Sequence, residues 1–186
     1  SESYVVGSHD FYLGYAVANR KLLCLDSGHF HPTESVPDKI SAVLSVLDEI
    51  LLHVSRGIRW DSDHVVILSD EMRGIAEEVI WNGYLDRVLI GLDYFDASIN
   101  RVAAWVIGAR SALLAFLIAL LAPAQKLREL EIAGDNTSRL ALMEALKGLP
   151  FGAVWDYRCL AAGVPAGDGW MRQVKDYERR VLAARA

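Results

Sequence analysis

Thiol chemistry has little to work with here, because the 186-residue chain holds only two cysteines, Cys24 and Cys159, far apart and outside any metal-ligand spacing. That weighs against a structural zinc ribbon and a disulfide scaffold, and a reducing, cytoplasmic setting is expected. Clustered positive charge is also missing. Nineteen Lys and Arg against 24 Asp and Glu give a net charge of −5. No nucleic-acid partner is expected, since phosphate recognition needs a basic surface that displaces counterions. Long apolar runs are lacking as well. The most apolar stretch, ALLAFLIALLAP at 112–123, has an apolar core of about 11 residues against the ~20 of a membrane span. Arg110 sits just before it, and it reads as a buried helix with no membrane partner. No repeat, low-complexity tract or secretory leader is visible. Histidine is absent beyond residue 64, so all five imidazoles fall in the first third of the chain.

What is present alternates. HDFYLGYAVANR (9–20) reads as a helix leading into the strand KLLCL. VPDKISAVLSVLDE (36–49) puts Pro37 in a first turn, with Ile40, Val43, Leu44 and Leu47 on one face, and it feeds the strand ILLHV. Ser69 is placed to cap a helix carrying the apolar stripe Met72, Ile75, Ala76, Val79 and Ile80, which Asn82-Gly83 ends. RVLIGLD is the next strand, followed by a long helix from about Ala97 to Leu121. Strands alternating with helices of this length indicate parallel β/α units. HVVIL (64–68) is read as part of a loop, because no crossover helix fits between it and His53. From Pro123 onward four segments bracketed by Pro, Gly or Asn read as a helical extension. The fold class is therefore α/β with a helical tail, divided at 1–122 and 123–186. A closed β/α barrel needs eight strands and usually ~250 residues, and the chain opens on Ser-Glu-Ser with no initiator Met. It is expected to be the later portion of a larger protein.

Each strand ends on residues with metal chemistry. KLLCLDSGHFHP supplies Asp26, His29 and His31; ILLHVSR supplies His53; RWDSDH supplies Asp61, Asp63 and His64; and RVLIGLDYFD supplies Asp93 and Asp96. In a parallel sheet the carboxyl ends of the strands share one rim, so such side chains converge. Imidazoles with carboxylates suit a hard or borderline divalent ion such as Mn²⁺, Mg²⁺, Co²⁺ or Zn²⁺. A single D-x-D is common in turns and caps, and a single strand-end histidine is commonly structural. The argument rests on the conjunction of Asp26, His29, His53, Asp61, Asp63 and Asp93. Asp96 fits a cap for the helix starting near Ala97 better than a ligand. His31, before Pro32, is read as fixing a loop, His64 as turning away, and His9 as structural near a helix start. Trp60 suits either a pocket wall or packing.

GSHDFYLGYAVANRKLLCLDSGHFHPTE, ILLHVSR followed by RWDSDHVV, and GLDYFDASINRVAAWVIG closely resemble the L-rhamnose isomerases, from about Glu2 to the end of the chain. The resemblance implies a (β/α)8 TIM-type barrel related to xylose isomerase, of which this chain is the C-terminal part. It also implies interconversion of L-rhamnose and L-rhamnulose at two neighbouring divalent metals. His29, Asp61 and Asp63 would hold the catalytic metal, typically Mn²⁺. Asp26, His53 and Asp93 would hold the structural one, Zn²⁺ or Mn²⁺. The implied partners are a small-molecule sugar and the other subunits of a homotetramer. A hydride shift between C2 and C1 is expected, with Asp63 assisting the hydroxyl proton.

The family's preceding strand, with a glutamate for the structural metal and a lysine at the substrate, has no match here. The isolated chain is therefore expected to be inactive and aggregation-prone through open strand edges. Competing readings are a metal-dependent isomerase of another deoxy sugar, a metal-dependent hydrolase, and a non-catalytic oligomerisation fragment.

Overall fold

Alternation decides the sheet. In β1 (Leu23–Asp26) Leu23 and Leu25 are buried while Cys24 and Asp26 face the other way, and in β2 (Ile50–Val54) Ile50, Leu52 and Val54 are buried in the same rhythm. A strand whose alternate side chains are apolar can cover a core with one face only. The computed structural model describes residues 7–31, 33–58 and 61–185, with the side chains of Ile58, Asp61, Ser62 and Asp63 outside that description. Two further strands, β3 (Arg56–Ile58) and β4 (Asp61–His64), form an antiparallel pair, and β5 (Val88–Leu92) completes the main sheet. The main sheet is three-stranded, in the order β1-β2-β5. Both pairings are parallel, with Asp26 beside His53 and His53 beside Gly91. The α/β class and its three parallel strands match the expectation. Val65–Leu68 carry no strand, as the loop reading requires, while the short β3–β4 pair was not foreseen.

The chain divides into two compact units, Ser1–Phe116 and Leu117–Ala186. In the first, α1 (His9–Asn19) precedes β1 and has the Ser8 hydroxyl as its cap, accepting from the Phe11 amide. Helices α2 (Pro37–Leu44) and α3 (Asp70–Trp81) pack on each other. Their buried faces are Ile40, Val43 and Leu44 on α2, and Met72, Ile75, Ala76 and Val79 on α3. Ser69 caps α3 as expected, accepting from the Met72 amide at 3.2 Å. Helix α2 is shorter than its apolar pattern and stops at Leu44.

The carbonyls that follow α2 are met by one side chain. Arg87, just before β5, donates from Nη2 to the Leu44 and Leu47 carbonyls at 2.8 and 2.9 Å and from Nε to Asp48 at 2.8 Å. A planar guanidinium can satisfy several orphan carbonyls at once and places a cation at a helix C-terminus. It thereby ties the turn entering β2 to the start of β5.

The long helix α4 (Arg101–Leu121) starts four residues later than expected. Asn100 caps it, its side-chain oxygen accepting from the Ala103 amide at 2.8 Å. Asp96 instead closes a local turn on the amide and hydroxyl of Ser98. With 21 residues α4 is long and apolar enough, by length and composition, to cross a membrane. The 11-residue apolar core is thus the last part of a longer helix, which runs back through Arg110 to Arg101. Ala104, Gly108, Ala112 and Ala115 are all buried and spaced along one face. At Gly108 the absence of a side chain admits the ring of Tyr94, whose hydroxyl donates to the Trp105 carbonyl at 3.4 Å.

In the second unit α5 (Ala124–Ile132), α6 (Asn136–Lys147), α7 (Phe151–Ala161) and α8 (Gly169–Tyr177) follow the four bracketed segments. A π-helical turn, Glu178–Leu182, then extends α8. Buried on these four helices are Leu127, Cys159 and Val174. On the last helix and its extension Val174 is buried and Trp170, Tyr177 and Val181 are half-buried.

Two substitutions test this packing. Arg87→Lys keeps the charge but cannot span three carbonyls, and is expected to lower Tm by about 2–8 °C, read by circular dichroism. Gly108→Ala gains about 1 kcal/mol of helix propensity, but its methyl would overlap the Tyr94 ring. Displacing a packed ring costs about 1–3 kcal/mol, so the net effect is destabilising, with a changed near-ultraviolet aromatic signal.

Candidate metal centre

Register brings three donors to one place. Asp26 ends β1, His53 lies beside it on β2, and Asp93 follows β5 directly. Asp93 is held in line because its amide donates to the Val54 carbonyl at 3.3 Å. One ligand atom from each of Asp26, His53 and Asp93 lies within 4.8 Å of the other two. His53 Nδ1 is 3.5 Å from Asp26 Oδ2 and 3.4 Å from Asp93 Oδ2. These contacts are long for hydrogen bonds. Ligands bound about 2.1 Å from a common ion stand roughly 3.0–3.4 Å apart, so the spacing fits a shared cation better than direct pairing. One imidazole and two carboxylates form a set that hard and borderline divalent ions accept.

The imidazole needs room on the neighbouring strand. Gly91 stands opposite His53 in the ladder, and a Cβ there would come within 3.3 Å of His53 Cδ2. Asp26 is oriented by its other oxygen. Oδ1 accepts from Ser55 Oγ at 2.8 Å and from the Gly28 amide at 3.0 Å, which leaves Oδ2 for the imidazoles. Ser55 and Gly91 were missed at the level of sequence. Their signals were faint: a hydroxyl two residues after a candidate ligand, and a glycine two before another.

The remaining candidates divide. His29 lies beside the triad, with Nε2 3.9 Å from Asp26 Oδ2, in a turn closed by its amide on the Asp26 carbonyl. Asp61 and Asp63 lie on β4, but their side chains, like Trp60 as a whole, are outside the described residues. His31 pairs through Nδ1 with the Thr33 hydroxyl at 2.8 Å, a loop-fixing role. His9 packs edge-on against Phe30 with ring centroids 5.6 Å apart, a structural role. His64 is half-buried on β4, and its charge is among the influences that lower the pKa of Asp96. The expected cap role of Asp96 belongs to Asn100, and the Asp96 carboxyl is lowered chiefly by its hydrogen bonds from Ser98. A cavity of about 650 Å³ opens beside the 27–35 turn, lined by Ser27, Phe30, His31, Glu34 and Glu71.

Negative potential around the triad shows in its neighbour. Burial pushes the Cys24 thiol up from its ordinary value, and the charges of Asp26 and Asp93 push the same way. A site that repels negative charge is one that attracts a cation.

Comparison with known proteins gives the family. The L-rhamnose isomerase (RhaA) family model matches residues 1–185. An L-rhamnose isomerase from Rhodopirellula baltica (strain DSM 10527 / NCIMB 13988 / SH1) is 61% identical over 186 residues, covering 100% of this chain and 44% of that protein. An L-rhamnose isomerase from Escherichia coli (strain K12) is 56% identical over 185 residues, with the same coverage of 100% and 44%. The chain thus spans less than half the length of the curated relatives it matches. With its sheet, its strand-end donors and these matches taken together, the chain belongs to the L-rhamnose isomerase family.

Proposed function

We propose that this chain carries part of the active centre of an aldose–ketose isomerase that converts L-rhamnose to L-rhamnulose. The observation that carries the reading is the Asp26–His53–Asp93 cluster at the exits of three parallel strands, in a chain matched by the family model over residues 1–185. Asp26, His53 and Asp93 would hold the structural divalent ion, Zn²⁺ or Mn²⁺. His29, Asp61 and Asp63 would hold the catalytic one, Mn²⁺. A divalent ion bound there supplies Lewis-acid polarisation of the sugar oxygens.

The chain's own groups do the rest. Hydride passes from C2 to C1 of the open aldose, and Asp63 assists the transfer of the hydroxyl proton from O2 to O1. Ser55 and Gly28 hold Asp26 in place.

The whole-protein architecture proposed is a closed (β/α)8 barrel. Residues 1–122 contribute β1, β2 and β5 as neighbouring staves, and 123–186 form a helical extension. Support comes from the sheet face bearing Cys24, Leu51, Leu89 and Gly91, where Leu89 is 50% exposed. Such a face is covered in a barrel interior. The exposed side chains Ile132, Tyr157 and Leu160 on the extension support a homotetramer with contacts there. A cytoplasmic location fits the two free cysteines.

The test joins this chain to the portion of the Rhodopirellula baltica relative that it does not cover. With Mn²⁺ the joined protein is expected to form ketose from L-rhamnose, and Asp63→Asn to lower kcat by about 10²–10⁴. His53→Ala is expected to abolish retention of the second metal equivalent after dialysis. A folded, metal-loaded protein that turns over a different deoxy sugar in preference to L-rhamnose would move the assignment to that sugar. One that hydrolyses phosphodiesters and isomerises no sugar would refute it.

A further inference from the structure

We infer that Ser55 is a positioning residue for the metal centre, and that with Ser27 it forms a buried hydroxyl clamp that sets the direction of the Asp26 carboxylate. The inference rests on the proposed metal role of Asp26, His53 and Asp93 and extends it to residues that touch no metal themselves. Ser27 and Ser55 are the buried polar side chains of the described core, each 5% exposed. A buried hydroxyl is costly unless its bonds are met, and here they are met by each other and by the site.

The bonds run in one direction. Ser27 Oγ accepts from the Ser55 amide at 2.9 Å and donates to the Ser55 carbonyl at 2.7 Å. It thus joins β1's end to β2's end through a side chain, beside the backbone bond from the Ser27 amide to the His53 carbonyl at 3.0 Å. With its backbone gripped on both sides, Ser55 has its hydroxyl proton free for Asp26 Oδ1, 2.8 Å away. The Gly28 amide donates to the same oxygen at 3.0 Å. One carboxylate oxygen is therefore fixed by two donors, and the carboxyl group cannot rotate without breaking both. Oδ2 is left facing His53 Nδ1 and His29 Nε2, at 3.5 and 3.9 Å. A ligand aimed in advance binds without the loss of rotamer freedom, and removing such outer partners commonly weakens metal binding about 10- to 100-fold.

The chemistry predicts that the hydroxyl matters and the volume of residue 55 does not. The joined protein described above is titrated with Co²⁺ alone by calorimetry, and the visible spectrum of the bound ion is recorded, for the unsubstituted protein and for Ser55→Thr, Ser55→Val and Ser55→Ala. Thr and Val have the same shape, so this pair isolates the hydroxyl even if the buried site resents a larger side chain. Binding is expected to be about 10- to 100-fold weaker in Ser55→Val than in Ser55→Thr. The Co²⁺ bands should change in Val and Ala and be kept in Thr, with matched Tm values for Thr and Val. Equal affinity and spectrum for Thr and Val would overturn the clamp while leaving the metal site standing. Absence of Co²⁺ binding by the unsubstituted joined protein would overturn both.

Discussion

Parallel register between β1, β2 and β5 is the constraint on which the site depends. The row Asp26, His53, Gly91 runs straight across three strands. Because side chains alternate along each strand, a slip of one residue in either pairing would send a donor to the opposite face. That face holds Leu25, Leu52 and Val54, where a carboxylate or imidazole would be desolvated without compensation. The apolar core and the polar cluster therefore enforce the same register from opposite sides. The burial of leucine and valine keeps the ligands together, and no separate device is required for it.

Holding two carboxylates against one imidazole carries an electrostatic cost, and the surroundings share it unevenly. Asp26 is satisfied on its outer oxygen by a hydroxyl and an amide, whereas Asp93 is more exposed and can be stabilised by water. The Cys24 thiol nearby is pushed up from its ordinary value by partial burial and, in the same direction, by the charges of the two carboxylates. A divalent cation placed among the three donors removes the remaining repulsion. The site is thus arranged as an anionic recess whose geometry is set by hydrogen bonds that do not involve the ion.

Local pattern was enough for some of this structure and not for the rest. KLLCL and ILLHV are short apolar runs that end on polar residues, and Ser69 precedes an apolar stripe of helical period, so β1, β2 and α3 could be read from neighbouring residues alone. Asp26, His53 and Asp93 were recognisable as candidate ligands because each falls where an apolar strand runs out. The start of α4 was not, since Asp96 and Asn100 are both capping residue types. The choice fell to the Asp96–Ser98 turn, which consumes one of them. The β3–β4 pair is too short and polar to announce itself. Arg87 reaches carbonyls about 40 positions away, and no local pattern encodes such a contact. Ser55 escaped notice for a related reason, because its importance lies in a partner on another strand.

Arg87 works at the starting edge of the sheet, and the ligands sit at the finishing edge. Cohesion and the candidate metal centre are thereby lodged at opposite poles of the same three strands. Sequence change can then accumulate around the guanidinium, tuning heat tolerance for one habitat or another, while the chemistry at the far pole goes undisturbed. For an engineer the lower rim is the place to stiffen this protein, since improvements made there leave the Asp26, His53 and Asp93 cluster untouched.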